Sequence, residues 1–238
     1  MGTLVLIRHG QASLGADDYD VLSELGVAQS RRLGAHFGRR ATVFDQIVAG
    51  PLRRHRDTAD HMIAAAKEGG LDLPAPTIAD AFDEFPALDI LRDCVGGLAA
   101  RDPKIAALQA RLGDTEGPAE FRQAFERLFQ ALMRHWIEGA FDDMVEPYPS
   151  FQARVEAGIK QLIDEAKRGA RIAVVSSAGP VGAVLRQAMN LSPWDGMRGT
   201  FVVTNTSLSE FKHRPGELTL TRFNALPHLD DPALVSLR

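Results

Sequence analysis

The sequence predicts an α/β protein, a three-layer αβα sandwich with a mainly parallel central sheet and a helical insertion. Three observations predict it. Short apolar runs rich in β-branched residues recur at 4–7, 47–49 and 172–175, segments of helical period separate them, and the β-type pattern lapses from about 85 to 149.

Residues 4–7 form the first run, which ends directly in Arg8-His9. Ser23 is an N-cap for the helix that follows, with Leu25, Gln29, Leu33 and Phe37 as its inward stripe and Gly38 near its end. The run 47–49 comes next, and a helix follows Pro51. Through the insertion, Pro103, Gly113, Gly117 and Pro118 bracket helical segments; Phe121, Phe125, Leu128, Phe129 and Leu132 recur at helical spacing and are read as core packing. A helix from about 150 carries Val155, Ile159, Leu162 and Ile163 inward until Gly169 stops it. After 172–175 a helix begins near Pro180. The segments 201–204, 208–211 and 218–223 read as strands, with a turn at 213–216 between the last two.

At 238 residues, with 45% hydrophobic and 24% charged residues, the chain suits one domain spanning 1–238 with an insertion or cap at about 85–150. A net charge of −4 and a pI near 6.0 give no basic field for nucleic acid or an anionic membrane surface. Small phosphorylated ligands held by locally placed arginines fit better than polymers. The lone cysteine, Cys94, suits a reducing compartment, so the expected location is cytoplasmic. The run 4–7 is too short for a signal-peptide core or a membrane span, and Leu6 stands where a myristoylation signal needs Ser or Thr. No Cys, His and carboxylate set shows metal-ligand spacing, and no cofactor is implied. Composition does not address the oligomeric state.

Ligands of parallel α/β sheets collect beyond the carboxyl ends of the strands. Three segments lie there: Arg8-His9-Gly10-Gln11, Gly50-Pro51-Leu52-Arg53-Arg54 and Ser176-Ser177-Ala178-Gly179-Pro180. A neutral histidine leaving a buried strand can attack phosphorus, an adjacent arginine can fix phosphate oxygens, and a glycine allows close backbone approach. Taken alone, His9 reads equally as a hydrogen-bonded strand-end histidine.

The order of blocks widens the reading. The segment 6–13, with Arg8-His9-Gly10-Gln11 and Ser13, resembles the signature of the histidine phosphatase (phosphoglycerate mutase-like) superfamily, and 22–29 resembles the segment that follows it. Residues 50–59 match that family's Ser-Pro-Leu-x-Arg-Ala-x-x-Thr-Ala block, with Arg54 at its arginine. Glu84, in Phe82-Asp83-Glu84-Phe85, stands where the family has its acidic residue; Asp80, Asp83 and Asp89 are the alternatives. Asn205-Thr206-Ser207 and 224–229 resemble the closing strands.

The resemblance implies a metal-independent phosphomonoesterase acting through a phosphohistidine at His9 on a small phosphorylated metabolite. Arg8 and Arg54 would clamp the phosphoryl group, and Glu84 would protonate the leaving oxygen and then accept a proton from water. Gln11 and Ser13 would donate to phosphate or simply cap the loop. The pattern breaks at Ser177, which occupies the place of the family's second histidine in a Val-Ser-His-Gly-Gly-like block. Serine can donate a hydrogen bond but carries no charge. His55, His61, His228 and the backbone amides of the helix near Pro180 are the candidates to compensate. Two other functions stay open: mutase-type phosphoryl transfer, and a weakened pseudophosphatase that only binds phosphorylated ligands.

Overall fold

The computed structural model describes residues 1–13 and 20–237. Strand β1 (Gly2–Arg8) is followed by helix α1 (Glu24–Arg39), β2 (Gln46–Ala49), α2 (Arg53–Glu68) and the short β3 (Thr77–Ile78), then a 3-10 turn (Asp80–Phe82). Next come α3 (Ala87–Asp89), a π-type turn (Ile90–Cys94), α4 (Val95–Ala99), α5 (Pro103–Gly113), α6 (Pro118–Ile137) and α7 (Tyr148–Glu165). The chain then runs through β4 (Arg171–Ser176), α8 (Ala178–Met189), α9 (Pro193–Thr200), β5 (Leu208–Arg214) and β6 (Glu217–Ala225). It divides into two compact units, one of Met1–Glu84 with Arg154–Arg238 and one of Phe85–Ala153. Among the described residues no helix is long and apolar enough to cross a membrane.

The sheet belongs to the first unit and has the order β3-β2-β4-β1-β5-β6. Strands β1 to β4 run parallel, and β5 and β6 add an antiparallel edge, so the α/β fold with a mostly parallel sheet is as the sequence predicts. Alternate side chains of a strand face opposite sides of the sheet. On one side Val5, Ile7, Ile47, Ala49, Ala173 and Val175 meet Leu33 and Phe37 of α1 and Ala59 and Met62 of α2. On the other, Leu4, Leu6, Ile172 and Val174 are also buried, and α8 packs against β1. Two-sided cover explains the continuous apolar runs.

Helix α1 starts at its expected cap, where the Ser23 side chain accepts from Gly26 N at 3.1 Å. It crosses α2 closely because Gly34 has no side chain: a Cβ there would lie 2.0 Å from Met62 O. That crossing fixes the start of α2 relative to the sheet.

The structure corrects two local readings and adds one short strand. Residues 201–204 are not a strand but the turn after α9. Asn224 serves their backbone instead of a ladder, its Oδ1 accepting from Thr204 N at 2.8 Å and its Nδ2 donating to Val202 O at 2.7 Å. The aromatic stripe of α6 divides: Leu128 and Leu132 are buried, whereas Phe121 is 49% exposed and stacks on Phe125, which stacks on Phe129, at ring separations of 6.2 and 5.8 Å. Finally, β3 was unforeseen, since its two residues are exposed and carry no apolar run.

Candidate active site

Parallel pairing aligns the ends of β1, β2 and β4. Arg8 is in register with Ser176, and Ala49 with Val175, so the segments beginning at His9, Gly50 and Ser177 leave the sheet side by side.

His9 is 4% exposed, and its backbone is fixed on both sides. Its N–H donates to Ser176 O at 2.8 Å, and its carbonyl accepts from Asn205 Nδ2 at 3.0 Å and Thr206 N at 3.3 Å. The ring's Nδ1 lies 2.6 Å from Gly10 O. A carbonyl can only accept, so Nδ1 carries the proton and Nε2 is left with a lone pair. Burial, and then the charges of Arg8 and Arg54, hold the imidazole well below its ordinary pKa. The result is a neutral histidine of defined tautomer.

Gly10 does allow a close approach, and the neighbour it admits in this structure is α1. A Cβ at this position would lie 2.5 Å from Gly26 O and 2.9 Å from Ser30 Oγ, so the close approach that it permits is to α1. Its N–H donates to Thr58 Oγ1 at 3.0 Å, and Thr58 donates in turn to Arg54 O at 2.7 Å, tying the loop after β1 to the first turn of α2.

The two arginines are differently engaged. Arg8 donates from Nη1 to Val203 O and, at 2.6 Å, to Leu237 O. Arg54 has its side chain 9% exposed and pairs through Nη1 with Asp20 Oδ1 at 2.8 Å. The same carboxylate accepts from Arg53 N at 2.7 Å, so it also caps α2, where a helix N-terminus favours negative charge.

At the end of β4, Ser177 is fully buried as the first residue before α8, and its Oγ lies 2.7 Å from His55 Nε2. His55 is itself fully buried on α2, its ring centre 5.7 Å from that of His9. Burial and then Arg54 hold its pKa well below the ordinary value. Glu84 reaches the same strand end, with Oε1 accepting from Gly179 N at 3.0 Å, while Ser176 Oγ donates to Phe82 O at 2.6 Å and pins the acidic loop. The start of α8 therefore offers few amides to a ligand: Gly179 is engaged by Glu84, and Pro180 has no N–H.

The remaining expected residues sit around this cluster. Gln11 Oε1 accepts from Ser23 Oγ at 2.8 Å, a bond that caps the loop, and Ser13 N donates to Val21 O at 2.8 Å. Of the other histidines, His61 is half-buried further along α2. His228 Nε2 lies 2.9 Å from Thr206 Oγ1, with burial lowering its pKa to about 3. Sequence reasoning missed the parts played by Asp20, Thr58 and Asn205. Among the described residues, no three His, Cys, Asp or Glu side chains gather as metal ligands do.

The profile of the histidine phosphatase superfamily (branch 1) matches residues 4–85 and 108–226. No curated protein matches the chain. Solved structures resemble it at low identity and thus speak for the fold alone. A phosphoglycerate mutase from Bacillus anthracis str. Sterne is 19% identical at a TM-score of 0.63, covering 95% of this chain and 94% of its own. An H9A mutant phosphoserine phosphatase from Entamoeba histolytica, in complex with phosphoserine, is 20% identical at 0.63, covering 96% and 100%. A mycobacterial glucosyl-3-phosphoglycerate phosphatase in complex with inorganic phosphate is 18% identical at 0.59, covering 97% and 100%.

Proposed function

The chain belongs to the histidine phosphatase superfamily, branch 1, and from that premise we propose that it is a metal-independent phosphomonoesterase acting through a phosphohistidine at His9 on small phosphorylated metabolites. One observation carries the reading: a buried, neutral His9 whose Nδ1–H is committed to Gly10 O, leaving Nε2 as the nucleophilic nitrogen.

In the first step the Nε2 lone pair forms a bond to phosphorus as the ester P–O bond breaks, and Glu84 gives its proton to the leaving oxygen. In the second, a water oxygen attacks phosphorus, the N–P bond breaks, and the water proton passes to Glu84. Arg54 contributes guanidinium charge to the transferring group, in competition with Asp20. Arg8 contributes charge from an anchored position. The small-molecule substrate class is supported by the net charge of −4 and by the phosphoserine and inorganic phosphate bound to proteins of the same fold.

The test is rapid-quench trapping of label from a phosphomonoester on the protein, in wild type and in His9→Ala. Label that is stable to alkali, labile to acid and absent from the variant, together with lost turnover, is the expected result. Undiminished turnover by His9→Ala would exclude the phosphohistidine route. Return of the phosphoryl group to an acceptor other than water would make the protein a mutase, and binding without turnover a phosphate-ligand binder.

A further inference from the structure

We infer that His55 and Ser177 together replace the second histidine of the family pattern, with His55 donating from Nε2 to Ser177 Oγ and so turning the serine proton toward the transferring phosphoryl group. This rests on the phosphatase reading given above.

Three departures from the family pattern meet around one imidazole. Ser177 stands at the histidine's place, His55 at the alanine after the block's arginine, and Gly50 at the serine that opens that block. His55 and Ser177 are 122 residues apart in sequence, yet their side chains touch at 2.7 Å. Gly50 makes the room: a Cβ there would lie 2.3 Å from His55 Nδ1 and 3.0 Å from its Cε1. An imidazole has therefore been moved from the end of β4 to α2, with the smaller side chains at 50 and 177 accommodating it.

The proton's position follows from the partners. His55 Nδ1 is buried with no hydrogen-bond partner among the described residues. A proton there would be a stranded donor, and orphaned buried N–H groups are rarer in native proteins than under-satisfied acceptors. The proton therefore sits on Nε2 and is donated to one lone pair of Ser177 Oγ, whose own O–H can then donate onward. Arg8 pairs with Ser176, so His9 and Ser177 follow directly from the paired ends of β1 and β4 and leave the sheet side by side. His55 acts through the serine and is a positioning residue, while Ser177 is the group that meets the phosphoryl oxygen.

The test compares turnover of an aryl phosphate by wild type, Ser177→Ala, His55→Ala, His55→Gln, the double variant His55→Ala/Ser177→Ala, the exchange variant His55→Ala/Ser177→His, and His9→Ala, each checked by thermal melting. Losing one donor to a transferring group costs on the order of 100-fold in kcat, and that loss is expected in Ser177→Ala and His55→Ala with little change in KM. The double alanine variant should lose no more than Ser177→Ala, because the pair acts as a unit. His55→Gln keeps a side-chain N–H and should regain part of the kcat. The exchange variant, which restores the family's residues at 55 and 177, should regain more. Ser177→His alone brings a second imidazole into the space that His55 fills, and should stay low.

An undiminished kcat in His55→Ala, or losses that multiply in the double variant, would overturn the inference. Should His55→Ala fail to fold, Ser177→Ala and the exchange variant decide the matter by the same criteria. The two proposals fail separately. Turnover by His9→Ala defeats the phosphohistidine reading, whereas trapped phosphohistidine together with full activity in His55→Ala defeats this one alone.

Discussion

Gly50→Ala puts a methyl group where the structure has no space. The added Cβ would lie 2.3 Å from His55 Nδ1 and 2.5 Å from Phe82 O. Neither neighbour can swing aside. His55 is 0% and Phe82 1% exposed, the ring is bonded to Ser177 at 2.7 Å, and the Phe82 carbonyl accepts from Ser176 Oγ at 2.6 Å. Overfilling a packed site costs about 1–3 kcal/mol, and the strained His55–Ser177 hydrogen bond adds about 0.5–1.5 kcal/mol. At roughly 2–4 °C per kcal/mol for a chain of this length, the melting temperature should fall by about 3–18 °C. Turnover should fall with it, since the displaced ring no longer supports the serine. Thermal melts and kcat for Gly50→Ala, His55→Ala and the double variant make the assay. The double variant should lose less stability than the sum of the two single losses, with only partial relief because the Phe82 carbonyl remains. An unchanged melting temperature in Gly50→Ala, or singles that add within about 0.5 kcal/mol, would refute the steric argument.

Asp20→Asn keeps an oxygen for the backbone amides of α2 but removes the charge competing for Arg54. KM for phosphomonoesters should fall by about 3–10-fold, the scale of one charge-assisted contact near the surface; a rise would mean that Asp20 orients Arg54 rather than competing with ligand. Stability should decline in mild acid. His9 and His55 are held well below the ordinary value of 6.5 and His228 at about 3, so the unfolded chain gains protons that the folded one refuses. Their contribution is complete above the unfolded pKa and lost as pH falls toward the folded values, by up to about 1.4 kcal/mol per pH unit for each ring. Urea midpoints should be level near pH 7.5 and drop below about 6.5; a level profile down to pH 5 would contradict buried neutral histidines. A chelator should leave turnover unchanged, and strict dependence on a divalent ion would contradict the metal-free route.

Much of the fold was legible because burial on both faces leaves a continuous apolar signal. The runs 4–7, 47–49 and 172–175 became the three strands that carry the candidate site, and Ser23 became the cap that it promised to be. The signal failed where side chains supplied what a ladder would have supplied: residues 201–204 have the β-branched look of a strand, yet Asn224 takes up their backbone. Phe121 shows another limit, since helical spacing shows that residues share a face but not what covers it. The blocks around His9, Arg54 and Ser177 could be found by position at strand ends. Asp20 could not, being one acid among several in its region, and the contact between His55 and Ser177 links positions that only the folded sheet brings together.

The place of β1 in the sheet has a consequence for how such a molecule comes into being. The strand that leads into His9 is the first of the sheet in sequence, but both of its neighbours, β4 and β5, begin only at Arg171 and Leu208. Pairings between distant segments form late, because the intervening loop entropy must be overcome before any contact rewards it. Helices α1 and α2 and the β5–β6 hairpin can form from nearby residues, but none of them creates the setting of His9. The carbonyl of Ser176 that holds His9 arrives only with β4, and Asn205 only with the approach to β5. A molecule in which local structure is complete but β1 is still unpaired would lack the backbone bonds that hold His9, so the setting of the candidate site depends on the most non-local pairings of the chain.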